Sequence, residues 1–217
     1  MKFNPRILLM VAVLILSSLA CQALSGGSST DQSDSNLLFK DDFSDSSSGW
    51  DQVSTENGET DYTDGVYRIY VNETGTDVWA NPGLDFTDVS VQVEATMVGG
   101  PQDNDFGVIC RSLDVSKFYF FVISSDGYYG IGKVSDSGQE LVGMDAMQPS
   151  EAIQQGAATN TIRADCVGSS LSLFVNGEKL DEVQDTEFGS GDVGLMAGSF
   201  DTPGTDIHFD NFSVTRP

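Results

Sequence analysis

Lys117-Phe-Tyr-Phe-Phe-Val-Ile-Ser-Ser-Asp-Gly-Tyr-Tyr-Gly-Ile-Gly-Lys-Val134 reads as a β-hairpin. Both arms are rich in aromatic and β-branched residues, which suit a pleated surface. Ser125-Asp126-Gly127 separates the arms with residues that tolerate a tight reversal. Upstream, Val89-Ser-Val-Gln-Val-Glu-Ala-Thr-Met97 alternates cleanly. One face carries Val89, Val91, Val93, Ala95 and Met97, and the other carries Gln92, Glu94 and Thr96. Further strand-like runs cover 38–43, 66–71, 106–111, 161–166, 171–175, 192–197 and 207–214, with Asp64-Gly65 and Asn176-Gly177 as turns. Only Ser150–Gln155, after Pro149 and before Gly156, reads as helical.

Composition points the same way. The chain of 217 residues holds 24 Asp but 9 Glu, together with 23 Gly, so turn formers outnumber helix formers. No internal repeat of fixed period is present, which argues against a solenoid or propeller. Many short strands with regular turns give an all-β class: a two-sheet antiparallel sandwich or barrel. The net charge of −23 repels phosphate backbones and excludes nucleic acid as the default partner. A single histidine leaves no material for a His-based metal cluster.

Four segments carry a resemblance: Phe106-Gly-Val-Ile-Cys-Arg111, the Phe118–Ile131 run, Leu171-Ser-Leu-Phe-Val-Asn-Gly177 and Phe209-Asp-Asn-Phe-Ser-Val214. Together they resemble a concanavalin A-like lectin/glucanase jelly roll. Within that group they are similar to laminin-G-like and 3-keto-disaccharide hydrolase-like domains of bacterial surface proteins. The resemblance implies a jelly-roll sandwich over 37–217 whose opening strand pairs near its closing strand. The fold hosts lectins, hydrolases, lyases and adhesion modules, so it does not fix a function.

Residues 1–20 read as a signal peptide: Lys2 and Arg6 precede the apolar run Ile7–Leu19, which is short for a membrane span. Ser18-Leu19-Ala20-Cys21 resembles the bacterial lipoprotein processing site, with Leu19 one place nearer the cysteine than the pattern prefers. That resemblance implies lipidation of Cys21 and a membrane contact through the lipid anchor only. Residues 21–36, rich in Ser, Gly and Asp, read as a flexible tether. With Cys21 assigned to lipid, Cys110 and Cys166 remain for a disulfide in an oxidising exterior; two free buried thiols are the alternative.

If Cys110 and Cys166 face inward together, alternation puts Arg111, Arg163 and Asp165 on the opposite, wet face. Gln92 and Glu94 join them as the floor of a polar groove, against the alternative of an ordinary solvated sheet face. Trp79 and Tyr129 are the stacking candidates for a sugar ring. By resemblance to carbohydrate-binding jelly rolls, Asp42 and Asp210 are candidate ligands for a structural Ca2+ where the first and last strands meet. Glu182-Val-Gln-Asp185-Thr-Glu187 is the nearest approach to a laminarinase acid motif, but its spacing is wrong, and it reads as an exposed linker. No catalytic residues or required cofactor are assigned. The expectation is a monomeric, surface-displayed lipoprotein with a non-catalytic lectin-like module for a glycan or other surface polymer. The alternatives are a glycoside-acting hydrolase and an adhesive module with a protein partner.

Overall fold

The computed structural model describes residues 36–217. The signal peptide, Cys21 and the tether up to Ser35 lie outside the described residues. Sixteen strands are present among the described residues. The first eight are β1 (Leu37–Asp41), β2 (Val53–Ser54), β3 (Gly58–Thr63), β4 (Val66–Val71), β5 (Thr76–Ala80), β6 (Val89–Gly99), β7 (Asn104–Asp114) and β8 (Lys117–Ile123). The remainder are β9 (Tyr128–Ser135), β10 (Gly138–Leu141), β11 (Gln148–Pro149), β12 (Thr159–Val167), β13 (Ser170–Val175), β14 (Glu178–Gln184), β15 (Asp192–Ser199) and β16 (Thr205–Thr215).

They form two antiparallel sheets. A nine-stranded sheet runs β14-β13-β12-β6-β16-β4-β3-β2, with β1 also on β16. A seven-stranded sheet runs β10-β9-β8-β7-β15-β5, with β11 also on β9. The opening strand pairs with the closing one, Phe39 opposite Val214, as the jelly-roll resemblance implied. The described chain is thus an all-β jelly-roll sandwich, and the β8–β9 hairpin is formed as read, with Ile123 opposite Tyr129.

The main core lies between the sheets. Val89, Val91, Val93 and Ala95 meet Ile162, Ala164, Ile207 and Phe209 from the nine-stranded side. Phe106, Val108, Phe121, Ile123, Leu195 and Ala197 face them from the seven-stranded side. An aromatic knot of Phe43, Trp50, Tyr62 and Tyr67 closes one edge, with ring centroids 5.2–6.3 Å apart. Trp50 donates its indole N–H to Asp41 at 3.0 Å, so the ring is an edge plug of the core. Cys110 of β7 and Cys166 of β12 form a disulfide with Cα atoms 6.8 Å apart, joining one sheet to the other.

Two expectations change. Ser150–Gln155 is a single turn and a bend, not a helix: Pro149 pairs with Tyr128, Ser150 N donates to Gly127 O, and Ile153 plugs the core. The segment read as a linker at Glu182 begins inside β14, an edge strand on β13. Its polar residues suit an edge, where one side of the ladder meets water. Strands β3 and β5 carry too many Asp, Glu, Gly and Thr residues to show a periodic signal, and pairing with β4 and β15 supplies what propensity does not.

Candidate functional site

The residues proposed for one groove lie on three surfaces. Gln92, Glu94, Arg163 and Asp165 do share the outer face of the nine-stranded sheet, with Gln92 directly opposite Arg163. Arg163 stacks its guanidinium 3.8 Å from the centre of the Phe174 ring and pairs with Asp165 at 3.2 Å. Glu94 accepts a hydrogen bond from Asn211 Nδ2 at 3.0 Å. This face is polar and internally paired.

Arg111 is not on it. The disulfide bridges two facing sheets, so the residues flanking its two cysteines belong to opposite outer surfaces. Arg111 also sits in a register break of β7 with φ 54°, which turns its side chain inward to 2 % exposure. Its guanidinium donates to Thr87 O at 3.1 Å, Gly168 O at 2.8 Å and Phe188 O at 3.0 Å, and pairs with Asp88 at 3.2 Å. It is a loop-binding staple. Tyr129 packs against the main core, its hydroxyl donating to Leu180 O at 3.4 Å. Trp79 lies on the outer face of the seven-stranded sheet, tilted onto Phe118 at 5.4 Å.

Asp42 lines a hollow of about 360 Å³ with Lys40, Asp41, Asn211, Phe212 and Ser213. Its carboxylate already accepts from Ser44 N and Oγ, while Asp210 accepts from Asn211 N. Asp41 is committed to Phe43 N, Ser48 and Trp50. Among the described residues no group of three or more His, Cys, Asp or Glu is placed to hold a metal ion. With Lys40 also present, this donor set fits a calcium ion poorly.

The outer face of the seven-stranded sheet is unusual. The outward positions of a two-layer sandwich are normally polar. Here Ile109, Phe118, Phe120, Val122 and Met196 are buried there in a second apolar cluster, with Trp79, Val134, Leu141 and Met147 packed on it. Leu141, the last residue of β10, and Met147, from the segment linking β10 to β11, cover part of the sheet. Large side chains are interspersed with glycines across the strands. One row runs Trp79, Met196, Gly107, Val122, Gly130, and the next runs Gly194, Ile109, Phe120, Gly132, Leu141. At Gly132 the missing side chain leaves room that a neighbour fills: a Cβ there would strike the Phe120 ring.

A third row holds the chemistry. Asp77 of β5, Gly198 of β15 and Asp105 of β7 are directly opposite one another. The two aspartates are two strands apart, roughly 9–10 Å between backbones. Because Gly198 has no side chain, both lean over it: an added Cβ would collide with Asp77 Oδ1 and Asp105 Oδ1 at once. Asp105 is 3 % exposed and its Oδ1 has no hydrogen-bond partner. Burial, joined by the negative charge of Asp77, pushes the Asp105 carboxyl well above the usual carboxylate range. Burial also raises Asp77, opposed by a hydrogen bond from Gln139. Beside the pair opens a cleft of about 440 Å³ lined by Asp105, Phe120, Val122, Gln139, Glu140, Leu141, Met147 and Phe200.

The sequence reading missed this site. One signal was available: Phe118, Phe120 and Val122 alternate with Tyr119, Phe121 and Ile123, so β8 is apolar on both faces. A strand buried on both sides needs a cover on each.

No family model matches the chain, and no curated protein matches it in sequence. Solved structures do match. Carbohydrate-binding module CBM66 from Bacillus subtilis superposes with a TM-score of 0.62 at 14 % identity, covering 77 % of this chain and 96 % of that one. A galectin-like protein of unknown function from Bacillus subtilis gives 0.63 at 12 %, covering 83 % and 96 %. The catalytic domain of an endo-1,3-β-glucanase (laminarinase) from Thermotoga petrophila gives 0.57 at 8 %, covering 83 % and 97 %. The likeness is one of fold. Binding modules and glycosidases both appear among these relatives, so the fold alone does not separate the two activities.

The acid pair, buried at Asp105 and half-buried at Asp77, has a consequence for stability. A carboxyl whose folded pKa lies above its unfolded value binds more protons when folded, so stability falls as pH rises between those two values. Wild-type protein is therefore expected to lose stability from the ordinary carboxylate range upward. Asp105→Asn should remove most of that slope and gain about 1–3 kcal/mol at neutral pH. Urea melts at stepped pH read both, and an unchanged slope in the variant would contradict a buried acid pair.

Proposed function

We propose that this chain is a lectin-like module, displayed at the cell surface through a lipidated Cys21, that binds a glycan or related surface polymer without catalysis. The ligand lies in the cleft of the seven-stranded sheet, beside Asp77 and Asp105. The observation that carries the reading is a cleft in which Asp105, crowded against Asp77 over Gly198, meets apolar walls of Phe120, Val122, Leu141 and Met147. A sugar offers hydroxyls to carboxyl oxygens and C–H faces to apolar surface, and pockets of this mixed lining suit small ligands. The carbohydrate-binding module among the structural relatives agrees with the assignment. The tether of residues 21–36 holds the acidic domain away from anionic lipid, and the domain acts as a monomer.

A glycoside-acting enzyme is the second reading, favoured by two acids beside a cleft. Glycosidases hold their two carboxyl groups roughly 5–9 Å apart, on either side of the scissile bond. Asp77 and Asp105 instead crowd one methyl-sized space, which leaves no room for a bond between them.

The test is a glycan array followed by calorimetry and a reducing-sugar assay on each bound oligosaccharide. Binding without sugar release is expected. The double variant Asp77→Ala, Asp105→Ala should weaken binding about tenfold or more. Arg163→Ala, on the other sheet, should leave it unchanged. Released sugar would establish the enzyme, and capture of protein partners alone would establish an adhesive module.

A further inference from the structure

We propose that Asp77 and Asp105 work as one unit that shares a single proton, and that the cleft therefore selects an uncharged sugar with two adjacent hydroxyls over an acidic sugar. This rests on the glycan-binding reading above and adds the ligand class to it.

The geometry comes from the glycine between the acids. Both Oδ1 atoms press on the space that a Gly198 side chain would occupy, so they lie close enough to face each other. Asp105 Oδ1 is sealed from solvent and accepts no hydrogen bond from any donor. A buried carboxylate oxygen in that state is costly, and a proton held jointly with Asp77 removes the cost. Neighbouring charges do not offer another solution. Among the described residues neither acid makes an ion pair. Gln139, on β10, is neutral and bonds Asp77. Glu140, which also lines the cleft, pairs with Lys133 at 3.5 Å. That lysine is itself held at 2.8 Å by each of Asp185 and Glu187, on the far side of its strand from the pair. Two carboxyls this close, with Asp105 buried and Asp77 half-buried, do not both ionise at neutral pH.

The shared proton fixes the spacing of the pair and leaves the outer carboxyl oxygens as acceptors with one net negative charge. Two neighbouring sugar hydroxyls then donate one hydrogen bond each. A uronic acid would bring a second negative charge to the same place, inside a chain of net charge −23. Raising the pH removes the proton, the two carboxylates repel, and the acceptor spacing is lost.

The full chain is titrated first without ligand, following the aspartate side-chain carboxyl carbons by NMR. Two well-separated steps are expected for the pair, collapsing to one step in Asp105→Asn. Calorimetry then compares neutral oligosaccharides of glucose, xylose and mannose with tetragalacturonate, from mildly acidic to alkaline pH. A neutral oligosaccharide should bind about tenfold more tightly than the acidic one, and its affinity should fall about tenfold through the upper step. In Asp105→Asn, where the amide N–H takes the place of the proton, that fall should vanish. A single ordinary titration step, or equal binding of neutral and acidic sugars, overturns the proposal while leaving a glycan site in place. Two titration steps with no binding of any sugar overturn the glycan reading and the ligand class together, with the shared proton intact.

Discussion

Arg111→Ala is expected to cost about 3–5 kcal/mol of folding stability, because it removes a buried guanidinium that serves three backbone carbonyls and a half-exposed carboxylate. The alanine leaves the carbonyls of Thr87, Gly168 and Phe188 without their donor and Asp88 without its cation. Those four acceptors come from three separate loops, and the guanidinium fork ties all three together. Lysine is not a substitute: a single ammonium does not reach acceptors spread around a planar fork, and Arg111→Lys should recover less than half of the loss. Urea denaturation reads the result as a lower midpoint at unchanged slope. A loss below about 1 kcal/mol would mean that the fork contributes little more than a surface pair does.

The second large effect concerns the bridge next to it. Cys110 and Cys166 are separated by 56 positions and join the two sheets. On the chain-entropy account, closing a loop of that length stabilises the fold by roughly 4 kcal/mol. The double variant Cys110→Ala, Cys166→Ala should show a loss of that order. Both sulfurs are fully buried, so reduction of the native protein should be slow and should track unfolding. Arg111 follows Cys110, and its Gly168 partner lies two residues past Cys166. The two losses should therefore not add, and a cycle combining them should show a coupling of about 1 kcal/mol or more. Strict additivity would show that the bridge and the fork act separately.

The fold was readable because its determinants are local and repeated. The alternation of Val89–Met97 and the turn after Ile123 each specify a strand or a reversal within a few residues. The pairing of β1 with β16 came from resemblance, since no local pattern encodes a contact between chain ends. The polar face of Gln92, Glu94, Arg163 and Asp165 was also assigned correctly, as alternation alone places it. The site was harder to read for two reasons. Alternation gives the side of a sheet and not which sheet, so Arg111 and Arg163 were joined although the disulfide between them crosses the core. The register break at Arg111 then inverted its direction, which no propensity records. Asp77 and Asp105 belong together only through Gly198, a residue far from both in sequence. Their meeting is a property of three paired strands.

Gly130, Gly132 and Gly198 leave places on the outer face that neighbouring side chains occupy. A methyl group added at Gly130 would press on Leu141 and Met147, and one at Gly198 would drive the two aspartates apart. Neither change alters the identity of a residue lining the cleft. Descendants of this chain therefore have a route to altered ligand preference through single-codon changes at positions that any comparison of contact residues would overlook.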